Sequence, residues 1–259
     1  MTGDLRMRGG GSGERLLLLL HGLGATGDVW DAWPPVLARH WPGRWLAPDL
    51  PGHGGSDPLD DYSFEALAAA VARAVEPARP TVVLGHSLGG VLALALAGDG
   101  FDLRIEAVVG LGIKVAWTAE ELDRAGALAG RSVAWFDSPA EAAARHLRVS
   151  GLAGLVEPDA PAVRHGLREE GGRWRLALDP RAFGVGAPDM PALLAAARVP
   201  VLLARGERDP MVTGAQLTGL ARGAGEHHPG VEAVTLPGLG HNAHVEDPEA
   251  VARLLRPYR

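Results

Sequence analysis

The chain has 259 residues, a formal net charge of −6, and 22% charged against 47% hydrophobic residues. That composition suits one large domain and leaves no room for an extensive disordered tail. The arginines are scattered singly rather than gathered into the concentrated basic face that nucleic-acid phosphates require, and the absence of cysteine excludes disulfides, thiolate metal sites and a cysteine nucleophile.

In chain order, the Gly- and Arg-rich start offers at most one ragged edge strand around 5–8, and the leucine run 16–20 reads as a buried strand. That run stops at His21-Gly22 with no small-residue cleavage site behind it, so it is not a signal peptide. No segment approaches the roughly 18–20 apolar residues of a membrane span, and the expectation is a soluble, cytoplasmic protein. A helix over 28–40, a weaker strand over 44–47, a helix over 64–75 capped by Ser63 and a strand over 81–84 follow. Next come a helix over 88–97 and a strand over 105–111. The final third predicts strands over 199–204 and 231–236 and helices over 213–222 and 248–255, the last capped by Asp247.

Short apolar runs alternating with helices predict an α/β fold, with a mostly parallel central sheet covered by helices on both faces. The alternation fails between 115 and 190, where no convincing buried strand occurs and two helix starts are well marked. Thr118 with Glu121 and Ser138 with Glu141 fit capping boxes, the second with Pro139 at the first helical position. The reading is a helical cap at 115–190, inserted in a core made of 1–114 and 191–259. Open α/β sheets bind ligands at the C-terminal ends of their strands, where such an insertion would lie.

The segment that carries chemistry is Gly85-His86-Ser87-Leu88-Gly89, a G-x-S-x-G between a buried strand and an apolar helix. A sharp strand-to-helix turn thrusts the serine hydroxyl out of the sheet, and the helix N-terminus favours developing negative charge. A hydroxyl needs a base to take its proton, and the base needs a carboxylate to hold its tautomer. With chain order Ser, then acid, then His, the strand over 199–204 delivers Asp209 and the strand over 231–236 delivers His241, both on loops. Glu207 and His244 are the nearest rivals for the two roles. The oxyanion donors expected are the backbone N–H groups of Leu88 and Leu23, the latter in the His21-Gly-Leu-Gly24 turn.

These motifs, with Asp28-Val-Trp30, Asp49-Leu-Pro-Gly-His53-Gly-Gly-Ser56, Gly206-Glu-Arg-Asp209 and Gly240-His241 in the same order, resemble the α/β-hydrolase fold family. The similarity is to its serine-esterase and haloperoxidase-like branch and covers nearly the whole chain. It implies a serine hydrolase without metal or other cofactor, acting on a small, apolar ester of the carboxylester or lactone type. A C–C bond hydrolase, a perhydrolase and a non-catalytic ligand-binding homologue are the alternatives. The serine at the elbow points away from the family's dehalogenases and epoxide hydrolases, which carry aspartate there. The family's first hairpin is shortened here to a single strand.

His53 reads as a structural bridge between turn carbonyls. Lys114, Trp117 and Trp135 are the substrate-pocket candidates, with Lys114 free to pair instead with an acid such as Glu120. Val133, Phe136, Leu152 and Leu155 are expected to join the two tryptophans in a closed apolar lining.

Overall fold

The computed structural model describes residues 3–225 and 228–259. Its centre is a seven-stranded sheet in the order β1-β3-β2-β4-β5-β8-β9. The strands are β1 (Met7–Gly10), β2 (Leu16–Leu20), β3 (Arg44–Pro48), β4 (Thr81–His86), β5 (Ile105–Leu111), β8 (Val201–Gly206) and β9 (Val231–Leu236). β1 is antiparallel to β3 and every other pairing in this sheet is parallel. The single edge strand expected near the start is present, two residues later than read.

The five leucines of β2 explain why it is the sheet's axis. All are at most 1% exposed, with Leu16, Leu18 and Leu20 in the core on one face and Leu17 and Leu19 in the core on the other. Each such side chain contributes roughly 1.5–3 kcal/mol relative to exposure. One face is covered by α2 (Phe64–Arg73), α3 (Leu88–Leu96), α7 (Met190–Ala196) and α8 (Gly214–Arg222), the other by α1 (Pro34–His40) and α10 (Pro248–Ala252).

Several boundaries move for physical reasons. The helix read over 28–40 divides into a 3₁₀ turn, Gly27–Trp30, and α1, because Pro34 and Pro35 lack the N–H a continuous helix needs and fit only its first turn. The strand read from 199 begins after Pro200, and the last helix tightens to 3₁₀ over Arg253–Tyr258 around Pro257. β9 is not covered on both faces as expected: it is an edge strand with Glu232, Ala233 and Thr235 exposed.

The segment 115–190 holds α4 (Ala119–Ala129), α5 (Pro139–Val149) and α6 (Pro161–Arg164), but it is not purely helical. β6 (Leu167–Glu170) and β7 (Arg173–Leu176) pair as an antiparallel hairpin. Gly171 and Gly172 both take positive φ, 59° and 80°, as a two-residue type I′ turn demands. The Thr118–Glu121 capping box forms as read, and the Ser138 side chain accepts from the Glu141 N–H.

Register brings the key loops together. Leu20 pairs with Gly85, Gly85 with Gly110, Leu111 with Ala204, and Gly206 with Leu236. The turns after β2, β4, β5, β8 and β9 therefore emerge along one edge of the sheet.

Candidate active site

Ser87 is the only non-glycine with positive φ among the described residues, at 51°. Such a backbone costs about 1–3 kcal/mol and persists only where its surroundings over-determine it. A Cβ on Gly85 would collide with the Gly89 carbonyl, and one on Gly89 with that of Leu20, so the motif's glycines are dictated by space. Ser87 N–H donates to Leu111 O at 2.8 Å, and Gly90 N–H donates back to Ser87 O at 2.9 Å. The serine is thus tied to the end of β5 on one side and to the first turn of α3 on the other.

The next residue along β5 carries the connection onward. Gly112 takes φ 61°, and a Cβ there would lie 3.2 Å from both Asp209 Oδ2 and His241 Nδ1. Asp209, with a fully buried side chain, places both carboxylate oxygens 3.1 Å from His241 Nδ1. A proton on Nδ1 donates to that carboxylate, which leaves the Nε2 lone pair free. Among the described residues the ring's hydrogen bonds run to Asp209 alone. The carboxylate also accepts from Met211 N–H at 2.8 Å, and Arg205 ties down the Glu207, Asp209 and Val212 carbonyls.

The rival residues are committed elsewhere. Glu207 accepts from Gly238 N–H at 2.8 Å and so braces the turn before His241. His244 is buried against Trp30 and His86, with ring centroids 4.6 and 4.3 Å away. Burial pushes its pKa down to about 3, and it makes no contact with Asp209.

Four further histidines surround the site as neutral struts. His21 Nδ1 donates to Gly22 O at 2.8 Å and its Nε2 accepts from Leu50 N–H at 2.8 Å. His53 Nδ1 donates to Pro51 O at 3.0 Å and its Nε2 accepts from Gly24 N–H at 3.1 Å. His53 is a bridge, but between the Pro51 carbonyl of its own turn and the Gly24 N–H of the His21–Gly24 turn rather than between carbonyls. His86 Nε2 donates to His241 O at 3.0 Å, and His146 Nε2 to Ala162 O at 3.1 Å. Desolvation lowers all four pKa values, to about 3 for His53 and about 4 for His146. Arg6 adds a brace at the same end of the sheet, pairing with Asp28 at 2.5 Å and Asp49 at 3.1 Å.

Among the described residues, the N–H groups of Leu23 and Leu88 have no protein acceptor. Gly22 stands against the elbow, since a Cβ there would lie 3.3 Å from Ser87 Cβ and 2.8 Å from His86 Nδ1. The C-terminal end of α5 closes over the same turn. Val149 packs on Gly24, where a Cβ would meet it at 2.6 Å, and Gly151 O accepts from Asn242 Nδ2 at 2.9 Å.

The pocket candidates fare less uniformly. Lys114 is ion-paired to Glu121, one residue beyond the acid suggested by sequence, and it holds that carboxyl below its usual range. Its charge is spent inside the protein. Trp117 packs, partly buried, against the core cluster that contains Leu88. Trp135 lies away from these residues, beneath Arg173 and Arg175, and lines an outer cavity beside the 52–58 loop. The expected closed lining is also corrected. Val133 and Leu155 are 37% and 39% exposed, Phe136 bridges to Trp174, and Leu152 is buried in the core cluster that contains Leu17 and Leu19.

Gly112, Arg205, Asn242 and the bracing roles of His21, His86 and His146 were not singled out by sequence. Only the glycine after a buried strand carried a readable signal.

A family model described as "Alpha/beta hydrolase family" matches residues 17–254. A pimeloyl-[acyl-carrier protein] methyl ester esterase of Klebsiella pneumoniae is 43% identical over 88 residues, 34% of this chain and 32% of that protein. This match spans about a third of that relative's length. Lipase LipV of Mycobacterium tuberculosis is 33% identical over 179 residues, 66% of each chain. The solved structure of an E-2-(acetamidomethylene)succinate hydrolase superposes with a TM-score of 0.77 at 25% identity, covering 98% of this chain and 94% of its own. With its match running from β2 to the last helical turns, the chain belongs to the alpha/beta hydrolase family.

Proposed function

We propose that the protein is a serine hydrolase of small carboxylic esters, with Ser87 as nucleophile, His241 as general base and Asp209 as the residue that orients it. The observation that carries this reading is the Asp209–His241 pair, 3.1 Å apart and joined through Gly112 to the strained turn that holds Ser87. His241 Nε2 takes the hydroxyl proton as Ser87 Oγ attacks the ester carbonyl. The oxyanion is received by the free N–H groups of Leu23 and Leu88. Collapse breaks the ester C–O bond, the alcohol leaves with the proton held by His241, and an acyl group remains on Ser87. Water, deprotonated by the same ring, then attacks the acyl carbonyl and releases the acid.

Residues 115–190 serve as a cap in this reading, supported by Val149 on Gly24 and Gly151 on Asn242. The cytoplasm is the compartment assigned, and no helix among the described residues is long and apolar enough to cross a membrane. In this reading, the limited space that the cap leaves above Ser87 favours short acyl groups. Each accommodated methylene gains about 0.8 kcal/mol until the chain outgrows the space.

The test is a series of p-nitrophenyl esters of increasing acyl length. Turnover is expected to peak at short to medium chains and then fall, without activation at an oil–water interface. A rate still climbing through long acyl chains would refute an acyl site bounded by residues 115–190. A covalently labelled Ser87 with no turnover of any simple ester would favour carbon–carbon or peracid chemistry.

A further inference from the structure

The end of α5 touches two of the turns beside the elbow. Val149 packs on Gly24, the residue after Leu23, and two residues later the Gly151 carbonyl accepts from Asn242 Nδ2 at 2.9 Å. Asn242 is the residue after His241. Among the described residues, no other hydrogen bond joins the turn 237–242 to residues 115–190.

Asn242 departs from what its place in the chain calls for. It is the N-cap of α9 (Ala243–Glu246), where an asparagine side chain ordinarily accepts from the N–H two or three residues on. Here the side chain makes no such bond, and the backbone alone serves the helix, Asn242 O accepting from Val245 and Glu246 N–H at 2.8 and 3.1 Å. The side chain is instead buried, with the residue 5% exposed, and its amide is given to a carbonyl 91 residues away in sequence. Because that partner only accepts, the group facing it is the NH₂, which an ionised aspartate or a leucine of similar shape cannot supply.

His241 is thereby held at three points. Asp209 holds its ring, His86 Nε2 donates to its carbonyl at 3.0 Å from the end of β4, and its neighbour Asn242 ties it to residues 115–190. The first two holds come from the sheet. The third makes the place of the ring depend on where α5 sits.

Resting on the hydrolase reading, we propose that Asn242 is a positioning residue for His241, and that through its bond to Gly151 the seating of α5 sets the approach of the general base to Ser87. The same end of α5 presses on the turn that carries Leu23, so base and oxyanion donor take their spacing from one element.

Two glycines in the loop after α5 provide the test. Gly151 and Gly154 both take left-handed backbones, φ 71° and 80°, so alanine strains each alike. Chain neighbours aside, a Cβ on Gly151 would meet only Asn242 Nδ2, at 2.9 Å, whereas one on Gly154 would meet nothing within 4 Å. The readout is the rate at which a fluorophosphonate labels Ser87, with p-nitrophenyl acetate turnover beside it. Asn242→Ala and Gly151→Ala are each expected to slow labelling about tenfold to a hundredfold and to lower kcat to match, with KM within about twofold, as for a base displaced by about 1 Å or less. Gly154→Ala is expected to label within about twofold of the wild type. In a His241→Ala background, Asn242→Ala is expected to slow the residual labelling no further, since it acts through that ring.

A wild-type rate in Asn242→Ala or Gly151→Ala, an equal loss in Gly154→Ala, or a further loss in the His241→Ala background overturns the proposal. If Asn242→Ala does not fold, Gly151→Ala against Gly154→Ala decides it alone. His241→Ala separates the two readings. Labelling undiminished by that change sinks the hydrolase mechanism itself, whereas labelling that needs His241 but not Asn242 sinks the positioning role and leaves the mechanism standing.

Discussion

The loops at the ends of β4, β5, β8 and β9 and the segment 115–190, proposed to cover them, are built by opposite means. In the loops, positions are set by what cannot fit: Gly85 and Gly89 admit no side chain, Gly112 holds a left-handed backbone with Asp209 and His241 3.2 Å from any Cβ, and Asp209 and the bracing histidines are buried with defined partners. In the covering segment, α4 has no buried residue, Val133 and Leu155 are exposed, and several arginines are held by surface ion pairs. In the proposed reading, chemistry rests on sterically over-determined turns and specificity on a looser layer.

The two regions should therefore respond very differently to substitution. Ser87→Ala and His241→Ala are each expected to lower ester turnover about 10⁴-fold or more with the fold intact, and the double variant to be scarcely worse, because the residues act as a unit. Losses that multiply would separate the two residues. Asp209→Asn is expected to cost about 10³–10⁴-fold and Glu207→Gln less than about tenfold, since Glu207 only braces Gly238. The reverse order would transfer the orienting role to Glu207. Gly112→Ala places a methyl against Asp209 and His241 in a left-handed backbone, and a loss of about tenfold to a hundredfold in kcat is expected. A Gly112→Ala enzyme with unchanged kcat would show that the Asp209–His241 geometry is not set there.

Stability supplies the smaller effects. His21, His53, His86, His146 and His244 are neutral in the fold with pKa values lowered by burial, to about 3 for His53 and His244 and about 4 for His146. The unfolded chain binds protons on these rings first, so their contribution is complete above the ordinary histidine value near 6.5. It is lost as pH falls below that value, down to about 3 for His53 and His244 and about 4 for His146, at about 1.4 kcal/mol per pH unit for each of these three rings. Denaturant unfolding at successive pH values checks this; stability that is flat between pH 7 and 5 would mean that these rings are not neutral struts. Thr118→Ala, which removes the α4 cap in the covering segment, is expected to cost about 1 kcal/mol or less, read as a shift in the denaturant midpoint.

The same division explains what the sequence made legible. Ser87 and Asp209 stand out in the sequence because each follows a buried apolar strand, and His241 because it sits in a glycine-rich turn after the half-exposed edge strand β9; such turns have few conformations to choose from. The helices capped by Ser63, Thr118 and Ser138 were equally plain, their signals being local. The β6–β7 hairpin was missed because its strands, Leu-Arg-Glu-Glu and Arg-Trp-Arg-Leu, are largely charged and lack a buried face, although Gly171-Gly172 marks the turn. Trp135 was read as a pocket residue because aromatic composition does not say which cavity a side chain lines. His21 and His86 acquire hydrogen-bond partners, and His244 its ring neighbours Trp30 and His86, from strands and loops distant in sequence, so only the assembled sheet reveals them.

The most direct test of the account is covalent labelling by a fluorophosphonate probe, with the modified peptide located by mass spectrometry. A single adduct on Ser87 is expected, abolished in Ser87→Ala and strongly slowed in His241→Ala. An unlabelled protein, an adduct on another serine, or undiminished labelling without His241 would contradict it.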